Sequence, residues 1–215
     1  SPSTPPTPSS PAYLLSSLWS SMSGSPQRLR RGVHPSNSAS WNDPRSFTGV
    51  TLKDSEVHEL FWHEERLRGP IPESLSLWAG LAHVTYLSLN GNDLTGPIPP
   101  SLGSLKSVKS LNLSDNKLTG SIPHTIGGLT RLEQLSLSRN MLSGDVPSTF
   151  SSLVNLRSLG LDGNPGLSSP FSAPLRGLEV QEFTGFIHRD FAMSLLSAGV
   201  AAFGAGAAEG RGWEG

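Results

Sequence analysis

The chain has 215 residues, 35% of them hydrophobic and 15% charged, enough for one modest folded domain with tails and too little for two. Sixteen Lys and Arg against seventeen Asp and Glu leave a formal charge of -1, so no long-range field draws it toward nucleic acid or an anionic membrane. Cysteine is absent, which excludes disulfides, Cys-ligated zinc and thiol catalysis.

Residues 1–10, SPSTPPTPSS, contain only Pro, Ser and Thr and cannot bury apolar surface, so they are expected to be a disordered linker. The stretch from Tyr13 to Leu18 is weakly apolar and has no charged region ahead of it, so no secretory signal is read there.

From Val84 to Leu167 the chain repeats. Asn92, Asn116, Asn140 and Asn164 recur every 24 residues, a regularity that demands a repeating structure. In each unit two leucines stand two apart: Leu87 and Leu89, Leu111 and Leu113, Leu135 and Leu137, Leu159 and Leu161. That spacing is a short strand with one buried face, and successive strands stacked at ~4.8 Å make a parallel sheet. The asparagine opens the turn that follows, and its amide, both donor and acceptor, suits a backbone buried between neighbouring coils, so the four are read as a structural ladder. A Leu-x-Gly-x-Ile/Val-Pro segment comes next, in which Gly96, Gly120 and Gly144 permit a bend and Pro99, Pro123 and Pro147 end local pairing. Leu102 with Leu105, Ile126 with Leu129 and Phe150 with Leu153 then close each coil on the side opposite the sheet. A degenerate unit precedes these: Leu60, Trp62, Leu67, Gly69, Ile71 and Pro72 stand 27 residues before their counterparts, Glu65 replaces the asparagine, and three extra residues lie among Ser76 to Gly80. Terminal units of a solenoid are often atypical in this way.

Chemistry was sought along the same path. His58, His63 and Glu64 suggest a metal site, but alternation sends His58 inward and His63 outward. Ile187-His188-Arg189-Asp190 contains the H-R-D of kinase catalytic loops, yet Leu195 stands where an Asn is needed and no Gly-rich loop or D-F-G accompanies it. No catalytic, cofactor or metal residues are assigned, and the chain is read as a non-enzyme without cofactors. Asn112-Leu113-Ser114 is a glycosylation sequon that the repeat template itself tends to generate. Residues 191–208 carry no charge but are dominated by Ala, Gly and Ser, which makes them a marginal transmembrane candidate within a 191–215 tail.

These units resemble the plant-specific leucine-rich repeats, L-x-x-L-x-L-x-x-N-x-L-T/S-G-x-I-P, of receptor-like kinases, receptor-like proteins and cell-wall inhibitors, over residues 57–167. SWNDPRSFTGVTL (40–52) is similar to that family's N-terminal cap, with Arg45 and Leu52 at its cysteine positions; LDGNPGLSSP (161–170) is similar to its closing signature, with Ser168 for the Cys. The resemblance implies an α/β repeat fold, a right-handed leucine-rich-repeat solenoid with a short parallel β-sheet on its concave face. It also implies an N-terminal cap over 11–56 (a helix plus an irregular strand) and a C-terminal cap over 168–190, sealed by packing instead of disulfides. Leu195, Leu196 and Phe203, together with Phe171, Leu175, Leu178 and Phe183, are candidates to cover the last coil.

In such a solenoid the outward strand positions line the concave surface, the usual contact face. Alternation names Glu59, Phe61 and His63; Tyr86, Ser88 and Asn90; Ser110, Asn112 and Ser114; Gln134, Ser136 and Ser138; Ser158, Gly160 and Asp162. Phe61, His63 and Tyr86 place the richest contact surface in the N-terminal half. The expected function is a protein-interaction module, a receptor-like ligand-recognition domain. Its partner is a protein or peptide, or else a glycan, and not nucleic acid; membrane attachment and oligomeric state stay open. The alternatives are an inhibitor of a secreted hydrolase, disfavoured by having only Glu59 and Asp162 as concave carboxylates, and the ectodomain of a receptor-like kinase. The resemblance suggests the cell surface or extracellular space; the lack of cysteine and of a readable signal suggests the cytoplasm.

Overall fold

The structure, a computed structural model, describes residues 10–23, 49–74, 80–168 and 182–184. The H-R-D triplet, residues 191–208, most of the insertion near Ser76, and Trp41, Arg45, Phe171, Leu175 and Leu178 lie outside them.

The described chain opens with α1 (Pro11–Ser23). Ser10 starts it: its Oγ accepts from the Tyr13 N–H at 3.3 Å, and Pro11 follows where a missing N–H costs nothing. Leu14, Leu15, Leu18 and Met22 are buried together on one face. β1 (Val50–Lys53) and β2 (Glu56–Phe61) form an antiparallel hairpin with a bulge between Thr51 and Leu52. Its two turn residues, Asp54 and Ser55, both have positive φ, the geometry that two-residue hairpins require.

Thereafter the chain coils. β2, β4 (Tyr86–Ser88), β6 (Ser110–Asn112), β8 (Gln134–Ser136), β10 (Ser158–Gly160) and β12 (Glu182–Thr184) follow one another in a parallel array, with β1 added at the N-terminal edge. The register is strict: Leu60, Leu87, Leu111, Leu135, Leu159 and Phe183 pair in sequence. This is a right-handed leucine-rich-repeat solenoid with its parallel sheet on the concave face. β12 carries that sheet one strand past the last coil. On the opposite side each coil closes through a short 3-10 helix, Pro100–Ser104, His124–Gly128 or Ser148–Ser152, each entered from an extended proline. Leu102 and Leu105, Ile126 and Leu129, and Phe150 and Leu153 are buried beneath them.

Sequence reasoning missed a second parallel sheet. It is formed by β3 (Arg68–Pro70), β5 (Asp93–Pro97), β7 (Lys117–Gly120), β9 (Met141–Asp145) and β11 (Gly166–Ser168). The glycine that the repeat pattern assigns to a bend sits inside this ladder: Gly96, Gly120 and Gly144 hold φ of 76°, 75° and 78° while pairing with the next coil. Each of these segments carries a glycine and no two apolar residues spaced two apart, so a period-2 pattern does not reveal it.

One continuous core runs the length of the coils, from Leu14 of α1 to Leu161. Leu52 and Leu167 at the two ends pack partly buried against it. Strict alternation placed His58 inward, and the structure corrects this. Val57 takes the buried position, as Val84, Val108, Leu132 and Leu156 do in later coils, and His58 is half-buried on the flank. The inward residues stand at steps of three and then two because the chain is still leaving a turn when the first of them enters the core.

Candidate concave-face binding site

The side chains of the concave sheet form three columns, whose members lie on neighbouring strands. The first is Glu59, Tyr86, Ser110, Gln134 and Ser158; the second is Phe61, Ser88, Asn112, Ser136 and Gly160. The third, just past the strand ends, is His63, Asn90, Ser114, Ser138 and Asp162.

Exposure divides this face. Phe61 is 38% and Tyr86 39% exposed, and His63 is exposed beside them. Phe61 and Tyr86 stand on adjacent paired strands, two positions apart in register, a diagonal of about 7–8 Å that long aromatic side chains bridge. Glu59, opposite Tyr86 in the ladder, is half-buried. Toward the C-terminal coils the surface turns small and polar, and much of its hydrogen-bonding capacity is satisfied internally. Ser88 Oγ donates to Asn90 Oδ1 (2.6 Å), Ser110 Oγ to Gln134 Oε1 (3.1 Å) and Ser114 Oγ to Asn112 Oδ1 (2.8 Å). Ser138 Oγ donates to the Asp162 carboxylate. Ser114, Ser138 and Gly160, expected to face outward, are buried and add little contact area.

Beneath this surface run the asparagines. Asn116, Asn140 and Asn164 each accept through Oδ1 from a backbone N–H of the preceding coil (Leu94, Leu118, Leu142). Each donates through Nδ2 to one carbonyl of that coil and to two of its own; for Asn140 these are Leu113, Leu137 and Ser138. Asn92 reaches back the same way, accepting from Glu65 and Leu67 N–H and donating to Trp62 O. The residue before each asparagine has positive φ: Gly91, Asp115, Arg139 and Gly163, with Glu64 at the matching place in the first coil. Only the two glycines signalled this left-handed column in the sequence.

The flanks carry ion pairs between coils. Lys117 Nζ lies 2.6 Å from Asp93 Oδ1 and Lys109 Nζ 2.9 Å from Glu133 Oε1. The Lys117 hydrogen bond holds the Asp93 carboxyl below its ordinary range, and Lys109 does the same to Glu133 while its own ammonium is raised. Among the described residues no group of three or more His, Asp or Glu converges on a metal position, and no helix is long and apolar enough to cross a membrane.

Comparison with known proteins matches the family described as Leucine rich repeat over residues 82–142 and 106–165. A chain in the crystal structure of the BIR3 - SERK2 complex from Arabidopsis thaliana is 32% identical, with 74% of this chain and 96% of that one covered and a TM-score of 0.59. The crystal structure of PEPR1-AtPEP1 is 27% identical with a TM-score of 0.70, covering 81% of this chain but 24% of that one. The plant peptide hormone receptor RGFR1 in complex with RGF2 is 26% identical with a TM-score of 0.50, covering 64% and 29%. This chain thus spans about a quarter of the length of the two larger receptors' chains. No curated protein sequence matches.

Proposed function

The chain belongs to the plant-type leucine-rich-repeat family, and from that membership we propose that it is a non-enzymatic recognition module that holds a protein or peptide ligand on its concave face. The observation that carries this reading is the exposed aromatic pair. Phe61 and Tyr86 present apolar surface on adjacent strands of an otherwise small, polar, self-satisfied sheet. Aromatic side chains supply large contact area at low entropic cost, and they dominate binding energy where they cluster. The relatives lend the ligand class: PEPR1 is seen with AtPEP1, and RGFR1, a peptide hormone receptor, with RGF2.

The site is then Glu59, Phe61, His63, Tyr86, Ser88 and Asn90, with Ser110, Asn112, Gln134, Ser136, Ser158 and Asp162 extending it as an uncrowded polar floor. Selection of binding peptides from a displayed random library, followed by alanine substitution, tests it. Phe61→Ala and Tyr86→Ala should each weaken selected ligands by about tenfold or more, and Ser136→Ala and Ser158→Ala by less than about twofold. Ligands that ignore both aromatic changes but are lost on altering Lys106 or His124, on the opposite side, would overturn the reading.

A further inference from the structure

Side-chain links between successive coils recur on one flank of the sheet. Lys109 meets Glu133 there, and Thr85 Oγ1 donates to His58 O at 3.0 Å. At the junction of the first and second coils the same flank carries two imidazoles. His58 of β2 and His83, just before β4, have ring centroids 6.2 Å apart and planes inclined by 27°. The histidine that sequence reasoning weighed with His58 was His63, which lies on the concave face instead.

We propose that His58 and His83 form a two-imidazole site for a borderline divalent transition-metal ion, Cu2+, Ni2+ or Zn2+, which clamps the first coil to the second. A metal–nitrogen bond of about 2.1 Å plus roughly 1.1 Å from nitrogen to ring centre places each centroid about 3.2 Å from a shared ion. The two rings are stacked, so their in-plane nitrogens do not yet point at one another. A tetrahedral angle at the ion needs centroids about 5.2 Å apart and both lone pairs turned inward, which asks the exposed His83 side chain to change its χ1 and χ2 and swing a ring nitrogen toward His58. Imidazole selects these ions over Mg2+ and Ca2+, which prefer oxygen. Because no third His, Asp or Glu among the described residues joins the pair, water completes the coordination and the ion exchanges freely. The place is apt: the chain has no cysteine to tie its first coil down, and a metal bound only by the folded form stabilises that form by mass action.

The test uses the full chain in a chelator-free buffer at neutral pH. Substoichiometric Cu2+ should broaden the imidazole resonances of His58 and His83 selectively, and Zn2+ should raise the unfolding temperature in a saturable way. His83→Asn and His58→Asn should each weaken Cu2+ binding by about tenfold or more, while His63→Asn should not. Acidification should release the ion, because only neutral imidazole ligates. Metal-free unfolding curves of the variants, matched to the parent, separate lost ligation from lost folding. Broadening shared equally with His63 and His124, or affinity within about twofold of the parent in His83→Asn, would refute the site.

Discussion

The coils built on β4, β6 and β8 and the coil built on β2 bury equivalent side chains but are closed in different ways. In the regular coils an asparagine reaches back one coil and satisfies both an N–H and a carbonyl there, as Asn116 does for Leu94 and Leu89. The first coil has Glu65 at that place, and among the described residues no earlier coil lies behind it. It is covered instead by α1, through Leu14, Leu15, Leu18 and Met22, and by the added strand β1. The difference teaches that the asparagine serves the preceding coil as much as its own. A first coil can lack it, provided another element covers the exposed edge.

This division of labour sets the predicted effects. Asn140→Ala removes the side-chain partner of Leu118 N–H and of the Leu113, Leu137 and Ser138 carbonyls, in a residue only 4% exposed. It should cost about 3–4 kcal/mol in urea unfolding. A loss under about 1 kcal/mol would break this account of the ladder. Leu18→Ala, in the fully buried face of α1, should cost about 3 kcal/mol, and hydrogen exchange should quicken in β1 and β2 before it does in β8.

Smaller effects refine the picture. Arg139 holds a φ of 52° that glycine adopts freely, and its guanidinium donates to Asp115 at 3.2 Å in an exposed contact. Arg139→Gly should therefore gain roughly 0.5 kcal/mol, read as a raised urea midpoint. The smallest effect concerns Asp93. Lys117 lowers its folded pKa below 3.8, so the pairing contributes above that value and is lost as pH falls through the folded pKa. At low salt, stability should drop as pH goes below 3.8, and Asp93→Asn should flatten that part of the profile.

The 24-residue spacing, the paired leucines, the family and the outward columns were legible in the sequence because each repeats, and repetition turns a weak local pattern into a strong one. Glu59, Phe61 and Tyr86 could be placed by alternation alone. The second sheet, the left-handed turn column, the burial of Ser114 and Ser138 and the pairing of His58 with His83 could not. Each depends on what lies one coil away, a relation between residues about 24 apart that no local period encodes. The sequence alone thus determined the paired leucines and the convex-side apolar pair that each regular coil buries. Tertiary structure decided which backbone groups the asparagines satisfy, which concave residues stay open to a ligand, and how the first coil is held, because stacking is what brings those groups within bonding distance.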